Sequence, residues 1–278
     1  MADSSPIGFL DSGIGGLPYL AWIRRRRPRE RYAYIADNEY FPYGERPRDR
    51  LVSHLIDTVR IIVEKLAPKL LVLACNTASV AALDTLRDRF ELPIVGVVPA
   101  LKPAAERSKG RRIALLATSR TVAERYTDDL IERFADDCVV ARIGNGNIVD
   151  FVEHQFLAAS AEEKKAFLAG TVEELKQSQI DTVVIGCTHF IYIEDELRAG
   201  LGDEVAIIDS VAGVGRQIIR VLEEKNLQVS PAASPLEDTV DALYLTSKNK
   251  SAETKETFAL ASSRFELSFC GLLKRSNP

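Results

Sequence analysis

The chain has 278 residues, 46% of them hydrophobic and 27% charged, enough to bury an ample core in one large or two smaller domains. Its formal net charge of -4 excludes a general nucleic-acid footprint, and no apolar run reaches the roughly 18 residues that a membrane helix needs. The N-terminal MADSSP lacks a basic stretch followed by an apolar one, so no membrane association is expected and the expected location is cytoplasmic.

In chain order, Ile7 to Leu10 reads as a short buried strand, followed by Asp11-Ser12-Gly13-Ile14-Gly15-Gly16 and a helix-like segment from Leu17 to Arg25. The glycines let the backbone turn tightly and present N–H groups to an anion, and Ser12 adds a hydroxyl donor. The spacing matches neither GxGxxG nor GxxxxGK[ST]. Asp11 at the mouth of the loop would repel phosphate, yet it suits the ammonium of an amino acid or the positioning of a base. Arg24 to Arg27, with Arg29, reads as a solvated face near a helix end. A strand from Arg31 to Ala36 leads into the turn-rich Asp37 to Gly44, where Pro42-Tyr43-Gly44 would hold backbone N–H groups and an aromatic near the same face. Leu51, Leu55, Ile56, Val59, Ile62, Val63 and Leu66 fall at helical spacing. His54 in that stretch, and His154 further on, read as packing or surface side chains.

The strand from Leu70 to Ala74 ends in Cys75-Asn76-Thr77, and a strand from Ile94 to Val98 precedes a crossover marked by Pro99, Pro103 and Lys109 to Arg112. Strands follow at Ile113 to Ala117 and Val139 to Ile143. Glu153 closes a segment, Asn147 to Glu153, in which a helix facing a site would begin. Glu173 to Lys176 closes a helix before the strand from Thr182 to Gly186, which ends in Cys187-Thr188-His189. After Val205 to Ile208 a second crossover follows Asp209-Ser210. The remaining stretch has its own helical and strand patterns, with a loop expected from Leu227 to Pro235.

Strands alternating with helices give parallel sheets covered on both faces, which bind ligands at the carboxyl ends of their strands. A faint repeat divides the chain further: Ile7 to Gly13 lies over Ile113 to Ser119, and Val72 to Thr77 over Val184 to His189, at offsets of 106 and 112 residues by numbering. The expected fold is α/β, with two pseudo-symmetric parallel-sheet α/β domains and the active site in the cleft between them. The expected boundaries are 1–98 plus 211–278 for a discontinuous first domain and 99–210 for the second.

Cys75, Cys138, Cys187 and Cys270 stand far apart, without CxxC pairs or adjacent histidines, which argues against a structural zinc site and for free thiols. A lone cysteine is commonly a small buried hydrophobe. Two of them, each ending a buried strand and each followed by polar side chains, point elsewhere. An ordinary thiol pKa of about 8.5 lets such a group give up a proton and take one back near neutrality. Asn76, Thr77 and Thr188 can donate hydrogen bonds to a carboxylate, while Asp11 or His189 could assist proton movement at the neighbouring sulfur. Cys138 and Cys270 lack this polar sequel and are expected in the core.

On Asp11 to Gly16, Pro42-Tyr43-Gly44, Ala74 to Ala78, Thr118 with Thr121, Gly186 to Phe190 and Ile208-Asp209-Ser210, the sequence resembles the glutamate racemases of the cofactor-independent aspartate/glutamate racemase superfamily. The resemblance implies an enzyme that interconverts L- and D-glutamate without pyridoxal phosphate, metal or nucleotide, D-glutamate being a building block of bacterial peptidoglycan. It implies that Cys75 removes the α-proton of D-glutamate and Cys187 that of L-glutamate, with Asp11 and His189 assisting. Asp11, Ser12, Pro42, Tyr43, Gly44, Asn76, Thr77, Thr118, Thr121, Glu153, Thr188 and His189 match substrate-binding positions, and a homodimer is implied. The chain departs from the family around Glu153, where a cysteine-proline stretch is usual. It departs again at Ile191, where many relatives carry proline, with consequences for the turn after His189. Superfamily members acting on aspartate, a hydantoin or a malonate-type acid are the nearest rivals, and a binding protein that has lost turnover is a more distant one.

Overall fold

A computed structural model of the protein describes residues 5–229, 241–247 and 252–273. The described residues fall into two compact units, one running to Val97 and resuming at Val211, the other spanning Val98–Ser210.

The first unit opens with β1 (Ile7–Asp11), α1 (Leu17–Arg26), β2 (Tyr32–Ala36), α2 (Arg48–Leu66), β3 (Leu70–Leu73), α3 (Asn76–Arg89) and β4 (Ile94–Gly96). The second contains α4 (Leu101–Arg107), β5 (Arg112–Ala117), α5 (Ser119–Ala123), α6 (Arg125–Phe134), β6 (Val139–Gly144), α7 (Asn147–His154), α8 (Ala161–Gln177), β7 (Thr182–Ile185), α9 (Glu194–Leu201) and β8 (Ala206–Ile208). The chain then rejoins the first unit as α10 (Val211–Glu224), β9 (Ala242–Leu245), α11 (Ala252–Arg264) and β10 (Ser268–Leu272).

Each unit is built on one parallel sheet. The first has the order β10-β9-β2-β1-β3-β4 and the second β6-β5-β7-β8. Both are thus α/β, as the alternation of patterns predicts. Every residue of β1, β2, β3 and β7 is buried, because a parallel strand is covered on both faces and so is mostly apolar instead of alternating. Helix α2 buries Leu51, Leu55, Thr58, Val59 and Ile62 along one stripe. The start of α8 is fixed by a capping box, in which Ser160 Oγ accepts from the Glu163 amide while the Glu163 carboxylate accepts from the Ser160 amide.

The sequence repeat has a register behind it. Leu10 pairs with Leu73 between β1 and β3, and Leu116 with Ile185 between β5 and β7. The amide of Ala74 then donates to Leu10 O, and that of Gly186 to Leu116 O, both at 2.8 Å. On the other side, the amide of Asp37 donates to Asp11 O and that of Asn145 to Ala117 O. The two four-stranded cores, β2-β1-β3-β4 and β6-β5-β7-β8, are the same construction made twice. What the repeat could not reveal is that the C-terminal stretch extends only the first sheet, through β9 and β10.

Some expectations fail. Cys138 is half-buried at the margin of the second unit's core, and Cys270 is exposed on the edge strand β10, so neither is a core thiol. Arg24 is not part of a solvated face: its guanidinium donates to the Phe265 carbonyl at 2.8 Å and pairs with Asp241 and Glu266, tying α1 to the C-terminal stretch. The loop expected from Leu227 is irregular as far as Val229, and its remainder lies outside the described residues.

Candidate active site

Asp11 is the last residue of β1 and fully buried. Its Oδ1 accepts from the Ser12 amide at 2.6 Å, which turns the loop back on the strand end. Tyr34 completes the loop from beneath, its hydroxyl donating to Gly13 O at 2.8 Å and accepting from the Gly16 amide at 3.0 Å. Pairing of Leu10 with Leu73 sets Asp11 alongside Ala74, one residue before Cys75.

Cys75 is 7% exposed, and the next residue opens α3. Asn76 and Thr77 are buried with it. Among the described residues neither the oxygen nor the nitrogen of the Asn76 side-chain amide has a hydrogen-bond partner, although the residue is only 2% exposed. A buried primary amide left so is costly to a fold, and such a group at a strand end is a ready donor and acceptor for a polar ligand.

Tyr43, also buried, opens a 3-10 turn (Tyr43–Glu45). The amides of Tyr43 and Gly44 begin that turn, where helical geometry leaves an N–H without a partner in the turn itself. Tyr43 Oη donates to Asp37 Oδ2 at 2.6 Å. Burial foremost, then the charge and hydrogen bond of Asp37 and the fields of Cys75 and Asp11, hold its hydroxyl well above the ordinary phenol range. Tyr43 therefore stays a neutral donor, close enough to Cys75 and Asp11 to feel both.

The second unit repeats the frame with different chemistry. Its counterpart of Asp11 is Ala117, and no carboxylate leaves β5. Thr118 takes the place of Ser12 and caps α5, its Oγ1 accepting from the Thr121 amide and lying 3.0 Å from Thr121 Oγ1. Cys187, 6% exposed, follows β7 and is succeeded by buried Thr188 and His189. His189 Nε2 lies 3.0 Å from Glu153 Oε2, with both side chains almost wholly buried. Glu153 comes from α7, beside the short turn that carries His189. The histidine turn survives the substitution at Ile191, whose amide donates to Thr188 O at 3.3 Å.

Two groups fall outside the sequence expectations. His54 packs on Tyr40, as a packing histidine would, but it also reaches a carboxylate: its Nε2 is 2.5 Å from Asp37 Oδ2. Asp37, which the sequence marks only as the start of a turn, is fully buried. No pattern in the sequence marks their meeting, since one follows β2 and the other lies within α2. His154, half-buried, lies 3.5 Å from Asp150, one helical turn earlier. Among the described residues, no group of three or more His, Cys, Asp or Glu side chains could hold a metal ion, and no helix is long and apolar enough to cross a membrane.

Two parallel α/β units with buried thiols at matching strand ends define a racemase architecture. The chain belongs to the Asp/Glu/hydantoin racemase family, whose pattern matches residues 24–215, and is an amino-acid racemase, an isomerase. It is 39% identical over 243 residues to the glutamate racemase of Shewanella sp. (strain MR-7), covering 87% of this chain and 89% of that one. With the glutamate racemase of Shewanella oneidensis it shares 43% identity over 219 residues, 79% of this chain and 80% of the relative. The crystal structure of Escherichia coli glutamate racemase in complex with L-glutamate and the activator UDP-MurNAc-ala aligns with a TM-score of 0.82 at 31% identity, over 98% of this chain and all of that one. The RacE1 isoform from Bacillus anthracis aligns at 0.78 and 26% identity, over 96% of this chain and 97% of that one.

Proposed function

We propose that the protein interconverts L- and D-glutamate by two-base proton transfer between Cys75 and Cys187. The observation that carries this reading is the matched placement of the thiols. Each is buried, and each follows a strand of the same rank and register in its own sheet. Inverting an α-carbon needs a base on one face and an acid on the other, and no single thiol can be both.

In the forward step the thiolate of Cys75 takes the α-proton of D-glutamate. The electron pair of the broken C–H bond passes into the adjoining carboxylate as an enolate-like carbanion, and the Cys187 thiol gives its proton to the opposite face. L-Glutamate leaves with Cys75 as thiol and Cys187 as thiolate, the starting point for the reverse reaction. The carbanion is the obstacle, and preorganised donors in a water-excluded site lower its cost. Ser12, Asn76, Thr77, Thr118, Thr121 and Thr188 supply such donors, with the turn Pro42-Tyr43-Gly44 at one end. The unpartnered amide of Asn76 supports this assignment. Asp11 assists Cys75, while His189, steadied by Glu153, assists Cys187. The D-glutamate formed would serve peptidoglycan synthesis.

Incubation with L-glutamate in heavy water, with no added cofactor, tests the reading. D-Glutamate carrying α-deuterium is expected, and much slower exchange with L-aspartate. Absence of both racemisation and α-exchange across pH would overturn it.

A further inference from the structure

Asp37 presents the first unit with a fully buried carboxylate, which a fold tolerates only when its lone pairs are occupied. Three elements occupy them. Tyr43 Oη donates to Oδ2 at 2.6 Å from the turn after β2, His54 Nε2 meets the same oxygen at 2.5 Å from α2, and Thr246 Oγ1 donates to Oδ1 at 2.6 Å from the end of β9. Because a carboxylate only accepts, Nε2 of His54 carries a hydrogen, whether the ring is neutral or cationic.

His54 touches the turn a second time. Its imidazole stacks on the ring of Tyr40, with centroids 4.0 Å apart and planes 11° from parallel. Tyr40 in turn lies under the guanidinium of Arg46, which donates to the carbonyls of Tyr40 and Phe41. The peptide of Pro42-Tyr43-Gly44 is therefore flanked by Tyr40 and Arg46, both of them fixed. Tyr43 is anchored from below through the oxygen that His54 shares.

We infer that His54 is a positioning residue of the substrate-binding turn: by bonding Asp37 and stacking on Tyr40, it holds Tyr43 and Gly44 where they meet the substrate. The inference rests on the proposed glutamate racemase reading, and in particular on the binding role of that turn. His54 does not touch substrate itself. Its removal should loosen a binding element and leave the thiols where they are, so the loss falls on KM more than on kcat.

Two substitutions separate the contacts. His54→Phe keeps a ring over Tyr40 but has no N–H for Asp37, whereas His54→Gln keeps an N–H at a similar reach and loses the ring. Steady-state kinetics with L- and D-glutamate, with thermal melting of each variant, give the reading. A rise of about 10-fold in KM is expected for His54→Phe, the scale of one lost hydrogen bond to a charged group, with kcat within about threefold. His54→Gln should recover most of the loss. Thr246→Val, which withdraws the hydroxyl on the far side of Asp37 without altering α2, should raise KM in the same sense. An unchanged KM in His54→Phe would overturn the inference while leaving the racemase reading intact. Misfolding of both His54 variants, or equal losses in KM and kcat without rescue by Gln, would assign His54 to stability alone and overturn it too. Should the wild-type protein neither bind nor racemise glutamate, the functional reading fails first and this one with it.

Discussion

Gly16 lies directly against Ala74: a Cβ on Gly16 would stand 2.7 Å from the Cβ of Ala74 and 3.0 Å from its carbonyl oxygen. The third glycine of the DSGIGG loop is thus what lets the loop rest on the strand end that carries Cys75. Neither Ala74 atom is the tip of a flexible side chain, so an added methyl must displace backbone. Gly16→Ala is expected to destabilise the protein by about 1–3 kcal/mol, as overpacking a filled site does, and to depress racemisation through the shifted loop. Denaturant melts and heavy-water exchange on the same preparation check this. Wild-type values in both would show that the loop has room to spare.

Much of this arrangement was legible in the sequence because parallel strands leave a strong trace. Leu70 to Ala74 and Thr182 to Gly186 are apolar without alternation, and each ends abruptly in cysteine and polar groups. The offsets of the repeat correspond to shared ladder bonds, those of Ala74 to Leu10 and Gly186 to Leu116. Partnerships across elements were not legible. Asp37, His54 and Thr246 come from three separate elements, and only folding brings them together. Glu153 was singled out by its place after a strand, but its bond to His189 depends on how α7 packs beside the histidine turn. Cys270 failed for a related reason: an apolar context in sequence does not distinguish a covered strand from an edge strand.

The thiols should separate cleanly under substitution. Cys75→Ser and Cys187→Ser each remove one of the two proposed bases, because an alcohol gives up its proton far less readily than a thiol. Racemisation should fall by at least about 10³-fold in each, within the span of general acid–base effects. Cys138→Ser, at the margin of the second unit's core, should retain activity within about twofold, its cost falling on stability and kept small by its partial exposure. Equal loss in all three would mean that the cysteines act on folding.

Glu153 should act through His189. With both side chains buried and 3.0 Å apart, the carboxylate orients the ring and favours one tautomer. Glu153→Gln preserves shape but removes the charge, and kcat/KM should drop by about 10²-fold. Because the two enantiomers have an equilibrium constant of one, that drop must be equal in both directions. The asymmetry appears elsewhere: the primary deuterium isotope effect should grow most with α-deuterated L-glutamate, whose proton Cys187 removes in the proposed mechanism. Equal growth for both enantiomers would detach Glu153 from the Cys187 side.

Lys69 and Glu30 form an ion pair 2.5 Å apart, with side chains 0% and 3% exposed. Glu30 also accepts from the Val229 amide at 2.9 Å, binding the segment that leaves α10 to the start of β2. Breaking such a pair strands a buried charge, so Lys69→Met should cost about 3–5 kcal/mol in urea denaturation. The double substitution with Glu30→Gln should recover a large part of that. A single-mutant cost below about 1 kcal/mol, typical of exposed pairs, would show that water reaches the site.

Tyr43 supplies a prediction at alkaline pH. Its hydroxyl is held well above the ordinary phenol range in the folded state, chiefly by burial and then by Asp37. A group with a raised folded-state pKa contributes stability that is present below the unfolded value, about 10, and lost as pH climbs toward the folded one. Between those limits the unfolded chain has released a proton that the folded protein retains, and stability declines by about 1.4 kcal/mol per pH unit for this one group. Tyr43→Phe has no proton to release. The variant should be less stable than wild type at neutral pH by about 1–3 kcal/mol, having left Asp37 one donor short. From about pH 10 upward its stability should then fall less steeply, by up to one proton's worth of slope. Tyr32 and Tyr244, also shifted upward by burial, keep part of the decline in both proteins. Urea denaturation at intervals from about pH 9 to 11.5 reads the two slopes. Parallel curves would mean that Tyr43 ionises in the folded protein as freely as in the unfolded chain, and its role in the proposed substrate-binding turn would have to be reconsidered.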